Sequence, residues 1–154
     1  MGALLGYLLT WTTYGTWLPG DERGWVDRQR THGDVTEPPS VTLEAYSRQA
    51  MARAPFVMDT PMRIAVEDAI RRRCRDCQWL LHGLAVRTNH VHVVVTAAGQ
   101  APAKVMGVLK AAGTKALRNR SDQPCWTASG SKRYLRTPES LAAAARYILN
   151  QDHR

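Results

Sequence analysis

The chain has 154 residues, 44% of them hydrophobic, and a formal charge of +8. That length suits one domain with a core of its own over residues 1–154, and no apolar run approaches the roughly 20 residues of a membrane span. Three cysteines do not make a disulfide framework, and the sign of the charge points to a polyanion, nucleic acid above all.

Residues 1–10 contain no Lys or Arg, so the basic-then-apolar layout of a signal peptide is missing. A cytoplasmic, nucleoid-associated location with no membrane partner is the expectation. Residues 3–14 (ALLGYLLTWTTY) are uncharged and rich in β-branched, aromatic and aliphatic side chains, which predicts a buried first strand. Residues 15–39 then read as a long irregular loop rich in Gly and Pro, and loops of that size usually carry function or stay disordered. Trp17 and Trp25 argue for packing back onto the domain, with base stacking as the alternative.

Ser40 can cap a short helix over residues 41–52. Thr60-Pro61 predicts a second start, a capping hydroxyl followed by proline at the first helical position. From there Met62, Ala65, Val66, Ala69, Ile70, Cys74 and Cys77 recur at helical spacing, with Arg71, Arg72, Arg73 and Arg75 among them. Cys74-x-x-Cys77 has the spacing of a metal or redox pair. Both thiols fall on or near the apolar stripe, however, and no second such pair completes a four-thiolate site, so the expected role is core packing.

Residues 79–87 (WLLHGLAVR) read as a second strand, and Asn89 marks a turn into His90-Val91-His92-Val93-Val94-Val95-Thr96, so the two form a hairpin. Alternation on that third strand puts His90, His92 and Val94 on one face and Val91, Val93 and Val95 on the other. Residues 104–118 predict an amphipathic helix with Val105, Val108, Leu109, Ala112 and Ala116 inward. Residues 132–136 (KRYLR) predict a short basic strand. Thr137-Pro138 opens a last helix through Leu141, Ala145 and Ile148. The order predicts an α+β fold: a ferredoxin-like βαββαβ antiparallel sheet with helices on one face, plus an added C-terminal helix near the other.

Two imidazoles on one strand face can bind one cation. Tyr147 and Gln151, four apart on the last helix, share a face one turn apart. Packing that helix on the sheet brings a phenol and a carboxamide toward the histidines. An open site of this kind polarises a phosphate oxygen as a Lewis acid. A phenol holds its proton at neutral pH, so a metal or a nearby cation must help it attack phosphorus. A phosphotyrosine keeps the energy of the broken phosphodiester, which suits rejoining DNA ends. Two other readings stay open on these residues: a binding module for structured single-stranded DNA or RNA without catalysis, and a zinc hydrolase using His90, His92 and water. No carboxylate accompanies the histidine strand to favour the latter.

The segments Asn89-His90-Val91-His92-Val93-Val94-Val95 and Ala145-Arg146-Tyr147-Ile148-Leu149-Asn150-Gln151 resemble the His-hydrophobic-His strand and the nucleophile helix of the single-tyrosine HUH transposases, the insertion-sequence and REP-associated type. The likeness extends to Leu8, Thr10, Trp11 and Thr12, to residues 79–87 and 104–117, and to Trp126, Arg133 and Tyr134. It implies a catalytic domain that uses Mg²⁺ or Mn²⁺ to cleave and rejoin single-stranded or hairpin DNA through a covalent 5′-phosphotyrosine. His90, His92 and Gln151 are then the metal ligands and Tyr147 the nucleophile, with Tyr134 as the competing tyrosine. Arg71, Arg72, Arg75, Lys104, Lys115, Arg118, Lys132 and Arg133 are the candidates for phosphate contact. Some members of that group are homodimers whose tyrosine serves the partner's histidines, an arrangement the resemblance leaves open. Two departures stand out: the sequence ends three residues after Gln151, leaving little to hold the helix from that side, and the 15–39 segment is long.

Overall fold

The computed structural model describes residues 4–15, 55–120 and 125–150. The 41–52 helix, Trp17, Trp25, Gln151 and nearly all of the 15–39 loop lie outside them. The elements are β1 (Gly6–Thr12), α1 (Thr60–Asp76), β2 (Leu80–Val86), β3 (His90–Thr96), α2 (Pro102–Ala116), β4 (Ser131–Leu135) and α3 (Pro138–Asn150). The sheet order is β2-β3-β1-β4, with every neighbouring pair antiparallel. This is the expected ferredoxin-like α+β arrangement with its extra C-terminal helix. Among the described residues no helix is long and apolar enough to cross a membrane.

The two faces of the sheet are covered differently. Tyr7, Leu9 and Trp11 of β1 join Val91, Val93 and Val95 of β3 in a core closed by Val66, Ile70 and Cys74 of α1 and by Val105, Met106 and Leu109 of α2. On the other face Val94, Ala85, Leu135 and Leu8 meet Leu141, Ala144 and Ile148 of α3. Alternation along β3 therefore sorts its side chains as expected, with the histidines on the α3 side.

Side chains on both sides of the α3 contact are small. A Cβ at Gly83 of β2 would meet the Ala145 backbone at 3.7 Å, so α3 rides close to the strand. Ile148 is fully buried there, a contribution of about 1.5–3 kcal/mol. Thr137 caps α3 as expected: its Oγ1 accepts from the Ser140 N–H at 3.0 Å, and Ser140 Oγ accepts in return from the Thr137 N–H.

Two local expectations need correction. The cap of α1 is Asp59, not Thr60; its carboxylate accepts from the Met62 N–H at 2.9 Å, and Thr60 becomes the first helical residue, its hydroxyl held by Arg63. An aspartate competes well for this position because it accepts strongly and carries charge against the helix dipole. On α2 the helix starts two residues earlier than expected, at Pro102, and its buried stripe runs through Val105, Met106, Leu109 and Gly113. The Trp126 ring lies over Gly113, its indole N–H donating to the Lys110 carbonyl at 3.0 Å.

A Cβ at Gly113 would approach that ring to 2.8 Å, whereas one at Gly107 on the same helix meets nothing within 4 Å. Gly113→Val is therefore expected to destabilise the fold by about 1–3 kcal/mol through overpacking. Gly107→Ala is expected to stabilise it by about 0.5–1 kcal/mol through helix propensity. Urea unfolding midpoints of the two variants should move in opposite directions.

Candidate active site

His90 and His92 stand side by side on β3, their ring centroids 4.7 Å apart and their planes at 75°. Tyr147 reaches them from α3: its ring centroid lies 6.0 Å from that of His92, again edge-to-face. The geometry follows from the packing. Ala144 and Ile148 anchor the helix on the sheet, and Tyr147, three residues after Ala144, projects along the sheet over β3. His92 is only 8% exposed, while Tyr147 is 51% exposed. The phenol thus has one edge against the imidazole and the rest toward solvent.

The second layer comes from residues far apart in sequence. Thr10 Oγ1 lies 2.8 Å from His92 Nδ1, and Asn89 Oδ1 lies 2.9 Å from His90 Nδ1. Strand register explains the first contact, because Thr10 pairs with His92 across β1 and β3. Neither Thr10 nor Asn89 was expected from the sequence to touch a histidine. Only the strand pairing brings Thr10 there.

The register also sorts the basic and aromatic candidates. The cross-strand row through the site runs Ala85, His92, Thr10, Ser131, and the next runs Gly83, Val94, Leu8, Arg133. Arg133 is therefore exposed on the histidine face, while Lys132, opposite Leu9, is on the α1/α2 face. There it lies near the half-buried Lys110, whose ammonium is pushed below its ordinary range by burial and by the Lys132 charge. Arg71, Arg72, Arg75, Lys104 and Lys115 are exposed on α1 and α2, across the sheet from the histidines. Arg71 there is ion-paired with Glu67 at 3.1 Å. Arg118 is exposed just past α2.

Tyr134 pairs with Tyr7, stacks edge-on against it at 5.5 Å and has Arg136 at 5.4 Å from its ring centroid. It is on the face away from His90 and His92, so the structure brings Tyr147, not Tyr134, to the histidines. Arg146 is exposed beside Tyr147 on α3, a placement that a lone arginine on a helix does not signal in the sequence.

The remaining titratable motifs stand apart. Cys74 is buried in the core, and burial, with Cys77 beside it, pushes its thiol up to about 11. Cys77 is the C-cap residue of α1. His82 bonds to Thr96 at the opposite end of the hairpin, and burial holds its imidazole below the ordinary range. A cleft of about 330 Å³ lined by Arg63, Glu67, Arg71 and Leu149 is lined by neither of the paired histidines nor by Tyr147. Among the described residues no three His, Cys, Asp or Glu side chains form a metal-binding group. The His90–His92 pair itself is a nitrogen donor set that fits a divalent ion keeping several open positions.

The family model described as "Transposase IS200 like" matches residues 50–151. The chain belongs to the IS200-like transposase family. Membership makes it a DNA transposase in kind, a DNA-cleaving enzyme. Among solved structures it is similar to a REP-associated tyrosine transposase bound to a REP hairpin, with a TM-score of 0.52 and 12% identity over 96% of this chain and 67% of that one. It is also similar to a protein of Deinococcus radiodurans R1 provisionally named a transposase, with a TM-score of 0.49 and 16% identity over 98% of this chain and 93% of that one. No curated protein matches the chain. At 12% identity the likeness to the hairpin-bound transposase speaks for the fold: this family member has its sheet and helix layout.

Proposed function

We propose that this IS200-like family member is a divalent-metal-dependent endonuclease and strand transferase acting on single-stranded or hairpin DNA, with Tyr147 as nucleophile in the same chain as its histidines. The observation that carries the reading is the 6.0 Å approach of the Tyr147 ring to His92, itself 4.7 Å from His90, on the α3 side of the sheet. His90 and His92 would hold Mg²⁺ or Mn²⁺, with Gln151, four residues after Tyr147 in the sequence, as the third ligand. The ion supplies Lewis-acid polarisation of the scissile phosphate.

The chain's own part is nucleophilic. The Tyr147 oxygen attacks phosphorus as its proton passes to solvent, a new P–O bond forms to the phenol, and the bond to the 3′ oxygen breaks, that oxygen taking a proton from solvent. The products are a 5′-phosphotyrosine and a free 3′-hydroxyl. Attack of a 3′-hydroxyl on that phosphotyrosine reverses the step and releases Tyr147, so strands are joined without another energy source. Among the described residues, Arg133 and Arg146 are the cations best placed to take flanking phosphates, Arg133 from the histidine face of β4 and Arg146 from α3 beside the nucleophile. The bound REP hairpin of the similar transposase supports a folded single strand as the substrate class.

The test is an adduct experiment. Incubation with Mn²⁺ and a pool of labelled hairpin strands is expected to leave label on the protein through denaturing electrophoresis, and peptide mass analysis should place it on Tyr147. Salt-sensitive binding without any adduct would replace this reading with a non-catalytic binding module. An adduct on Tyr134 would reassign the nucleophile.

A further inference from the structure

Neutral imidazole has one N–H and one lone pair, and a metal takes the nitrogen bearing the lone pair. The side chains around the histidine pair bear on which nitrogen that is. At His90 the partner of Nδ1 is Asn89 Oδ1, a carbonyl oxygen that only accepts, so Nδ1 carries the proton and Nε2 the lone pair. At His92 the partner of Nδ1 is the Thr10 hydroxyl, which can accept in the same way. His92 is nearly buried, so solvent is poorly placed to substitute for that hydroxyl.

Both partners are mounted on the frame of the fold. Thr10 is a central residue of β1, in register with His92 and flanked by the buried Leu9 and Trp11. Asn89 is held through its backbone: its carbonyl accepts from the Thr13 N–H at 2.9 Å and from Thr13 Oγ1 at 3.3 Å, and Thr13 is fully buried. An acceptor at each Nδ1, fixed by β1 or its continuation, is what selecting the same tautomer twice requires.

We propose that Asn89 and Thr10 are positioning residues that hold His90 and His92 as Nδ1–H tautomers, so that both rings offer Nε2 to one divalent cation. The cation part rests on the metal reading given under the proposed function; the tautomer part does not. Each can fail separately.

The measurement is long-range ¹H–¹⁵N correlation NMR on the labelled, metal-free protein, followed by titration with Mn²⁺ alone. Wild-type protein is expected to show both rings protonated at Nδ1. Asn89→Ala and Thr10→Val should weaken Mn²⁺ binding by roughly 10–100-fold each and redistribute the tautomer of the neighbouring ring. Asn89→Asp and Thr10→Ser, which keep an acceptor, should restore both readouts, and their amide spectra control for folding. Either ring found protonated at Nε2 in wild-type protein would overturn the proposal, as would wild-type Mn²⁺ affinity in both Asn89→Ala and Thr10→Val. The expected tautomers in a protein that takes up no Mn²⁺ would support the positioning role and overturn the metal reading.

Discussion

Tyr147→Phe is expected to slow cleavage of a hairpin strand by at least roughly 10³-fold while leaving DNA binding nearly unchanged. The substitution removes one oxygen from a ring that is half exposed, so no cavity opens and no buried partner is stranded. The ring keeps its edge contact with His92, and α3 keeps its anchors Ala144 and Ile148. What is lost is the atom that forms the covalent bond. Tyr134 cannot stand in: it is across the sheet against Tyr7, and a strand face cannot be exchanged without slipping the register of β4 by a residue. Single-turnover cleavage rates, with adduct yield read from the same gels, check the prediction. Cleavage retained within about tenfold of wild type would mean that water attacks, as in a hydrolase, and would end the covalent scheme.

Why the tyrosine was legible and its surroundings were not comes down to what periodicity encodes. The valines of β3 fix that the histidines share a face, and Leu141, Ala145 and Ile148 fix that α3 has an inward side, so a meeting of Tyr147 with the histidines follows once α3 lies on the sheet. Periodicity on α1 and α2 separates inside from outside but is silent on which face of the sheet the helix covers. Arg71, Arg72, Arg75, Lys104 and Lys115 were therefore readable as exposed, yet not as carried by helices on the sheet face opposite the histidines. On β4 the problem is parity. Lys132, Arg133 and Tyr134 alternate faces, and only the pairing of β4 with β1 assigns Arg133 to the site. Thr10 is further still from being readable, since its contact joins residues 82 apart in the chain. Asp59 displaced Thr60 as a cap for a simpler reason: two adjacent residues could both serve, and the stronger acceptor took the position.

The connection between β4 and α3 leads to the other large effect. β4 ends at Leu135 and α3 begins at Pro138, so two residues join them, and two residues span about 7 Å at most. Thr137 spends its side chain on the cap, and its carbonyl accepts from Leu141, which stiffens the joint. Carrying Tyr147 to a second copy would require α3 to leave β2 and β3, exposing Ile148 and Leu141 at about 1.5–3 kcal/mol for a fully buried side chain of this size. The tyrosine is therefore expected to act on the histidines of its own chain. Mixing Tyr147→Phe protein with a His90→Ala/His92→Ala variant, each inactive alone, should restore no cleavage. Exchange of tyrosine helices between two-fold related copies would instead rebuild one site in each mixed dimer, about a quarter of wild-type activity at equal mixing. Recovery near that level would place the working tyrosine on the partner and make the 6.0 Å approach within one chain a resting arrangement.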